Sequence, residues 1–89
     1  MLPPFTIRIL HDRLYHDIKV VPVLNDGTTE QYQLVSKKRI ITLQSNRPYL
    51  RRLGLKHKRP NWHVIEGQIN LPGLLETFID ELMKVIDNS

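Results

Sequence analysis

The sequence predicts an α+β fold: an antiparallel β-meander of about five strands with one C-terminal amphipathic helix packed on one face. Three observations carry that expectation. Apolar and polar residues alternate through the first half, turn-forming residues punctuate the alternation at short intervals, and after Gly67 the apolar period becomes helical. Eighty-nine residues leave too little for a second core, so one domain spanning 1–89 is expected.

The elements follow in order. Pro3-Pro4 cannot join a hydrogen-bonded ladder, so the first strand opens after them, where Phe5, Ile7 and Ile9 alternate with Thr6, Arg8 and Leu10. His11-Asp12-Arg13 forms a turn. The second strand, Tyr15 to Leu24, places Ile18, Val20, Pro22 and Leu24 on one face. Pro22 is tolerated if Ile7 lies opposite Ile18, because the first strand then ends opposite Val20. Asn25-Asp26-Gly27 reads as a three-residue hairpin loop with Gly27 in the left-handed position. That loop pairs Leu24 with Thr28, Val20 with Tyr32 and Ile18 with Leu34. A two-residue Asp-Gly loop would instead set Lys19 against Leu34 and Val20 against Gln33, mixing the faces. Strands at Thr29 to Val35 and Arg39 to Ser45 continue the sheet, with Leu34 opposite Ile41 and Tyr32 opposite Leu43.

Beyond Ser45 the pattern changes. Asn46 as N-cap, Pro48 in the first turn and Gly54 just past the end define a short helix over Arg47 to Leu53, closed by a Leu50–Leu55 contact. Lys56 to Asn61 is loop, and Trp62 to Glu66 is the fifth strand. Asn70 is the expected cap of the final helix, Leu71 to Asp87, with Ile69 and Leu74 as its hydrophobic staple. Leu71, Leu74, Leu75, Phe78, Ile79, Leu82, Met83 and Ile86 share one face. Asp80 and Lys84 on the other face form an i, i+4 pair worth about 0.3 kcal/mol.

Composition narrows the function. The net charge of +4 and pI near 9.7 favour anionic partners. There is no cysteine, which removes disulfides and thiolate metal sites and makes the cytoplasm the expected compartment. The first residues lack signal-peptide character, and no apolar run approaches a membrane-spanning length, so no membrane partner is expected.

Lys37, Lys38, Arg39, Arg47, Arg51, Arg52, Lys56, Lys58 and Arg59 hold nine of the thirteen basic residues, and no Asp or Glu occurs between Gln31 and Ile65. In this stretch Lys38, Arg39, Arg47, Arg51, Arg52, Lys56, Lys58 and Arg59 are candidate phosphate contacts. Tyr49 and Trp62 are candidate stacking rings, which suits RNA or single-stranded DNA. No RNP-type, KH or zinc-finger pattern accompanies them. The competing reading is a solvated run compensated by Glu66, Glu76, Asp80, Glu81 and Asp87, with Trp62 in the core and Tyr49, Leu50 and Leu53 plugging the sheet end. A second candidate surface is the sheet face away from the helix, where Leu10, Val21, Val23, Val35 and Ile40 lie among Arg8, Lys19, Gln33 and Thr42. It suits a protein partner or a homodimer, although antiparallel sheets commonly leave one face wet.

Catalytic and metal chemistry is not expected. His11-Asp12 and His16-Asp17 repeat at an odd spacing that sends them to opposite faces of a strand unless a turn brings them together. His57 and His63 sit in cationic surroundings, no H-E-x-x-H occurs, and Ser36, Ser45 and Ser89 lack a nucleophile-elbow context. The expectation is a non-enzymatic binding module without cofactor or metal.

Overall fold

Five strands, β1 (Phe5–His11), β2 (Leu14–Asn25), β3 (Glu30–Ser36), β4 (Arg39–Ser45) and β5 (Trp62–Glu66), lie in chain order in one antiparallel sheet. A short helix, α1 (Arg47–Arg52), separates β4 from β5, and α2 (Leu74–Ile86) follows the sheet. The computed structural model describes residues 2–37, 39–69 and 73–88.

The β1–β2 turn is a two-residue loop with Asp12 and Arg13 both at positive φ, closed by the His11–Leu14 pair. Such left-handed loops match the twist of the strands they join. Ile7 lies opposite Ile18 and Phe5 opposite Val20, so Pro22 extends past the end of β1, as the sequence requires. The β3–β4 register also matches expectation, with Leu34 opposite Ile41 and Tyr32 opposite Leu43.

The β2–β3 register differs. Val20 pairs with Leu34 and Pro22 with Tyr32, two residues from the expected alignment, and a bulge at Val23 sets Leu24 opposite Gln31. The loop is Asp26 to Thr29 rather than Asn25 to Gly27, closed by the Asn25–Glu30 pair. Side chains explain the choice. Asp26 Oδ1 accepts from the Thr28 and Thr29 amides at 2.9 and 2.8 Å, and Asn25 Oδ1 accepts from the Gly27 amide at 3.0 Å. Bonds from the Thr29 and Thr28 amides hold the Asp26 carboxyl below its usual pKa.

The final helix also starts later than expected. Its N-cap is Gly73, at φ +79°, so Leu74 is its first residue rather than the fourth. The expected cap Asn70 and first helical residue Leu71 lie outside the described residues. Lys84 bonds Glu81 at 2.8 Å in place of the expected Asp80. The apolar face is as expected: Phe78, Ile79, Leu82 and Ile86 are buried and join Ile7, Ile9, Ile18, Val20, Leu34 and Leu43 in the core. Each such side chain contributes about 2 kcal/mol on burial. A thirteen-residue helix is marginal alone, so this packing against β1 and the sheet holds it. Leu74 and Phe78 lie near Arg39 and Ile41, while Ile86 lies near Tyr32 and Arg47, so α2 runs from the Arg39 end of the sheet to the Ser45 end.

Candidate nucleic-acid interface

At the Ser45 end of the sheet, α1 is closed as its sequence dictates. The Leu55 amide donates to Leu50 O at 2.9 Å and the Gly54 amide to Arg51 O at 3.0 Å, with Gly54 at φ +75°. This pair of bonds is a Schellman ending. Asn46 occupies the N-cap position, but its Oδ1 accepts from the Asn61 amide at 2.8 Å, tying the loop after α1 to its start. The Tyr49 amide donates to Thr28 O at 3.2 Å, and Arg52 Nη1 to Gly27 O at 3.4 Å, which anchors α1 on the β2–β3 loop. Leu50 points inward. Tyr49, Arg52 and Leu53, spaced i, i+3, i+4 and therefore neighbours on one face, are exposed.

Arg47 belongs to the interior. Glu30 is fully buried on the core side of β3, and Arg47, 14% exposed, donates to it through Nε at 2.7 Å and Nη2 at 2.9 Å. Tyr32 Oη and Ser45 Oγ donate to the same carboxylate at 2.8 and 2.9 Å. Four donors thus satisfy a charge that would otherwise be costly to bury. Burial opposes the Arg47 charge, and Glu30 more than offsets it, so its guanidinium pKa is raised. Burial, and then Glu30, push the Tyr32 hydroxyl up as well. The third guanidinium nitrogen, Nη1, reaches Asp87 Oδ1 at 3.2 Å, where Arg51 Nη2 joins it at 2.9 Å. The register held the clue to this network, since it sets Glu30 opposite Ser45 on the apolar face.

The candidate residues therefore divide. Trp62, 9% exposed, lies in the core against Tyr32, with ring centroids 6.2 Å apart, and its indole N–H has no acceptor among the described residues. Arg51 is held by Asp87, and Arg59 by Glu76 and Asp80. Arg39, together with Lys37, lies at the other end of β4, about 20 Å from Ser45 at about 3.4 Å per residue. Lys38 lies outside the described residues. Tyr49, Arg52, Lys56 and Lys58 remain exposed on α1 and its following loop, and none of the three cations has a carboxylate partner among the described residues. Between that loop and α2 runs an open groove of about 700 Å³, with Lys56, His57 and Lys58 on one wall and Asp80, Glu81 and Asp87 on the other.

The other candidates resolve as follows. The β1–β2 turn brings His11 and His16 to one face, ring centroids 6.4 Å apart, with Asp12 3.4 Å from His11. Among the described residues no group of three or more acidic or histidine side chains could hold a metal ion. On the sheet face away from α2, Val21 and Val35 are half-buried, while Val23 and Ile40 are exposed. A polar row, Gln31 to Gln44 at 2.8 Å and Gln44 to His63 at 3.3 Å, crosses this face. Thr42, also on this face, is buried, and a bulge in β5 sets Glu66 opposite it. Among the described residues no helix is long and apolar enough to cross a membrane. No protein-family model, curated protein or solved structure matches the chain.

Proposed function

We propose that this chain is a non-enzymatic binding module that holds single-stranded nucleic acid, RNA or DNA, on α1 and the loop that follows it. The observation that carries the reading is the exposed ring of Tyr49, beside Leu53, on the same segment as Arg52, Lys56 and Lys58, which have no carboxylate partner among the described residues. Arg52, Lys56 and Lys58 contact phosphates and release counterions, and Tyr49 stacks on an unpaired base. Arg51 and Arg59 flank the site, and Arg47 and Trp62 support it from within. Titration with a fluorescently labelled single-stranded oligonucleotide tests this. Binding that persists at physiological salt, weakens steeply as salt rises and is lost in Arg52→Glu/Lys58→Glu is expected. Absence of binding, or binding indifferent to salt and to these substitutions, overturns the reading.

A second reading, contact with another protein through the open sheet face, is favoured by exposed Val23, Ile40 and Ile65. It predicts that Val23→Asp/Ile40→Asp abolishes that contact while leaving oligonucleotide binding intact.

A further inference from the structure

Two ion pairs tie the loop after α1 to the side of α2. Arg51 Nη2 donates to Asp87 Oδ1 at 2.9 Å, and Arg59 Nη2 to Glu76 Oε2, with Asp80 Oδ1 3.7 Å away. Glu76 and Asp87 are eleven residues apart, about 16 Å along a helix that rises about 1.5 Å per residue. Lys56 and Lys58 belong to the same loop and line the groove that Asp80 and Glu81 face. The cations of the loop thus run beside a row of carboxylates.

The loop backbone is fixed at both ends. The Leu55 amide is bonded to Leu50 O, the Asn61 amide to Asn46 Oδ1, and Pro60 is buried. The Arg59 side chain is the part able to move. Arg59 and Glu76 are 58% and 64% exposed, against 14% and 0% for the interior pair of Arg47 and Glu30. An exposed ion pair shifts an equilibrium by about fivefold at most, so a phosphate competes with it. Phosphate and carboxylate oxygens offer a guanidinium the same charge-assisted bonds.

We infer that α2 is a built-in competitor of the α1 site. Glu76 and Asp80 hold Arg59 as a phosphate would, and Arg59 exchanges them for a phosphate when a single strand extends from Tyr49 past Lys58. The inference rests on the single-strand reading above and adds regulation to it. Arg59 is a reserve contact, and the carboxylates that hold it weaken the binding of every strand that reaches them.

The oligonucleotide titration at physiological salt tests this on the full chain. Glu76→Gln/Asp80→Asn is expected to bind about three- to tenfold more tightly than the wild type, the effect of releasing one or two exposed pairs. Asp12→Asn/Asp17→Asn removes the same two negative charges at the β1–β2 turn. From β2 to β5 is three strand spacings, about 14 Å at about 4.8 Å each, beyond the screening length of about 8 Å. This control is expected to gain less than about twofold. Arg59→Gln is expected to weaken binding more in the Glu76→Gln/Asp80→Asn background than in the wild type, because only there is Arg59 free beforehand. All four carboxylates are exposed, so both variants are expected to keep the fold. A wild type that binds while Glu76→Gln/Asp80→Asn gains nothing, or no more than the control, overturns the competitor and leaves the α1 site standing. So does a gain on which Arg59→Gln has no larger effect. If neither the wild type nor Glu76→Gln/Asp80→Asn binds, both the competitor and the α1 site fall.

Discussion

Arg47 and Arg52 lie five positions apart in one basic stretch, yet they do opposite work. Arg47 neutralises a carboxylate that no water reaches, and Arg52 faces solvent beside Tyr49. Arg47→Met leaves Glu30 buried with only Tyr32 and Ser45 as donors, and removing one partner of a buried pair costs about 3–5 kcal/mol. Urea denaturation is expected to show that loss, with Arg52→Met within about 0.5 kcal/mol of wild type. The double substitution Glu30→Leu/Arg47→Met is expected to recover much of it, since apolar replacement of a whole buried pair is often neutral. The abundance of cations was legible in the sequence, but their availability was not. Glu30 and Asp87 reach Arg47 from seventeen and forty residues away, and charge counting along the chain cannot register such returns.

At the level of elements, β4 and β5 and the close of α1 were legible because each rests on local chemistry: alternation, Pro48, Gly54. The β2–β3 register was not. Alternation repeats every two residues, so an alignment shifted by two places the same side chains inward, and only the Asp26 turn distinguishes them. The start of α2 was missed for a related reason, since apolar spacing continues through Leu71 while Gly73 at positive φ sets the boundary. Two other glycines give a contrast to measure. Gly54 is left-handed with open space around it, whereas a Cβ on Gly67, also left-handed, would lie 2.6 Å from the Ile40 carbonyl oxygen. Gly54→Ala is expected to cost about 1–2 kcal/mol, the conformational term alone. Gly67→Ala is expected to cost distinctly more, because backbone must also shift; thermal melting of both variants checks the order.

Across the whole molecule, 38 Å on its longest axis, β4 separates two groups of cations that the sequence runs together. Lys37 and Arg39 sit at one end, Arg52, Lys56 and Lys58 at the other. This arrangement separates site from net charge. Lys37→Glu/Arg39→Glu and Arg52→Glu/Lys58→Glu each exchange two positive for two negative charges, a change of −4 that takes the formal charge from +4 to zero. If α1 is the site, the oligonucleotide titration is expected to show lost binding only for the second pair. The first pair is expected to lower affinity slightly, through weakened long-range attraction that salt screens. Equal losses would assign the binding to overall charge.

Trp62 has an optical consequence. It is the chain's one indole, enclosed by the core with Tyr32 beside it, so its emission is that of a ring shielded from water and fed by energy transfer from tyrosine. Intrinsic fluorescence is therefore a gauge of whether the core is closed. A spectral shift on adding a ligand would report that the sheet had opened.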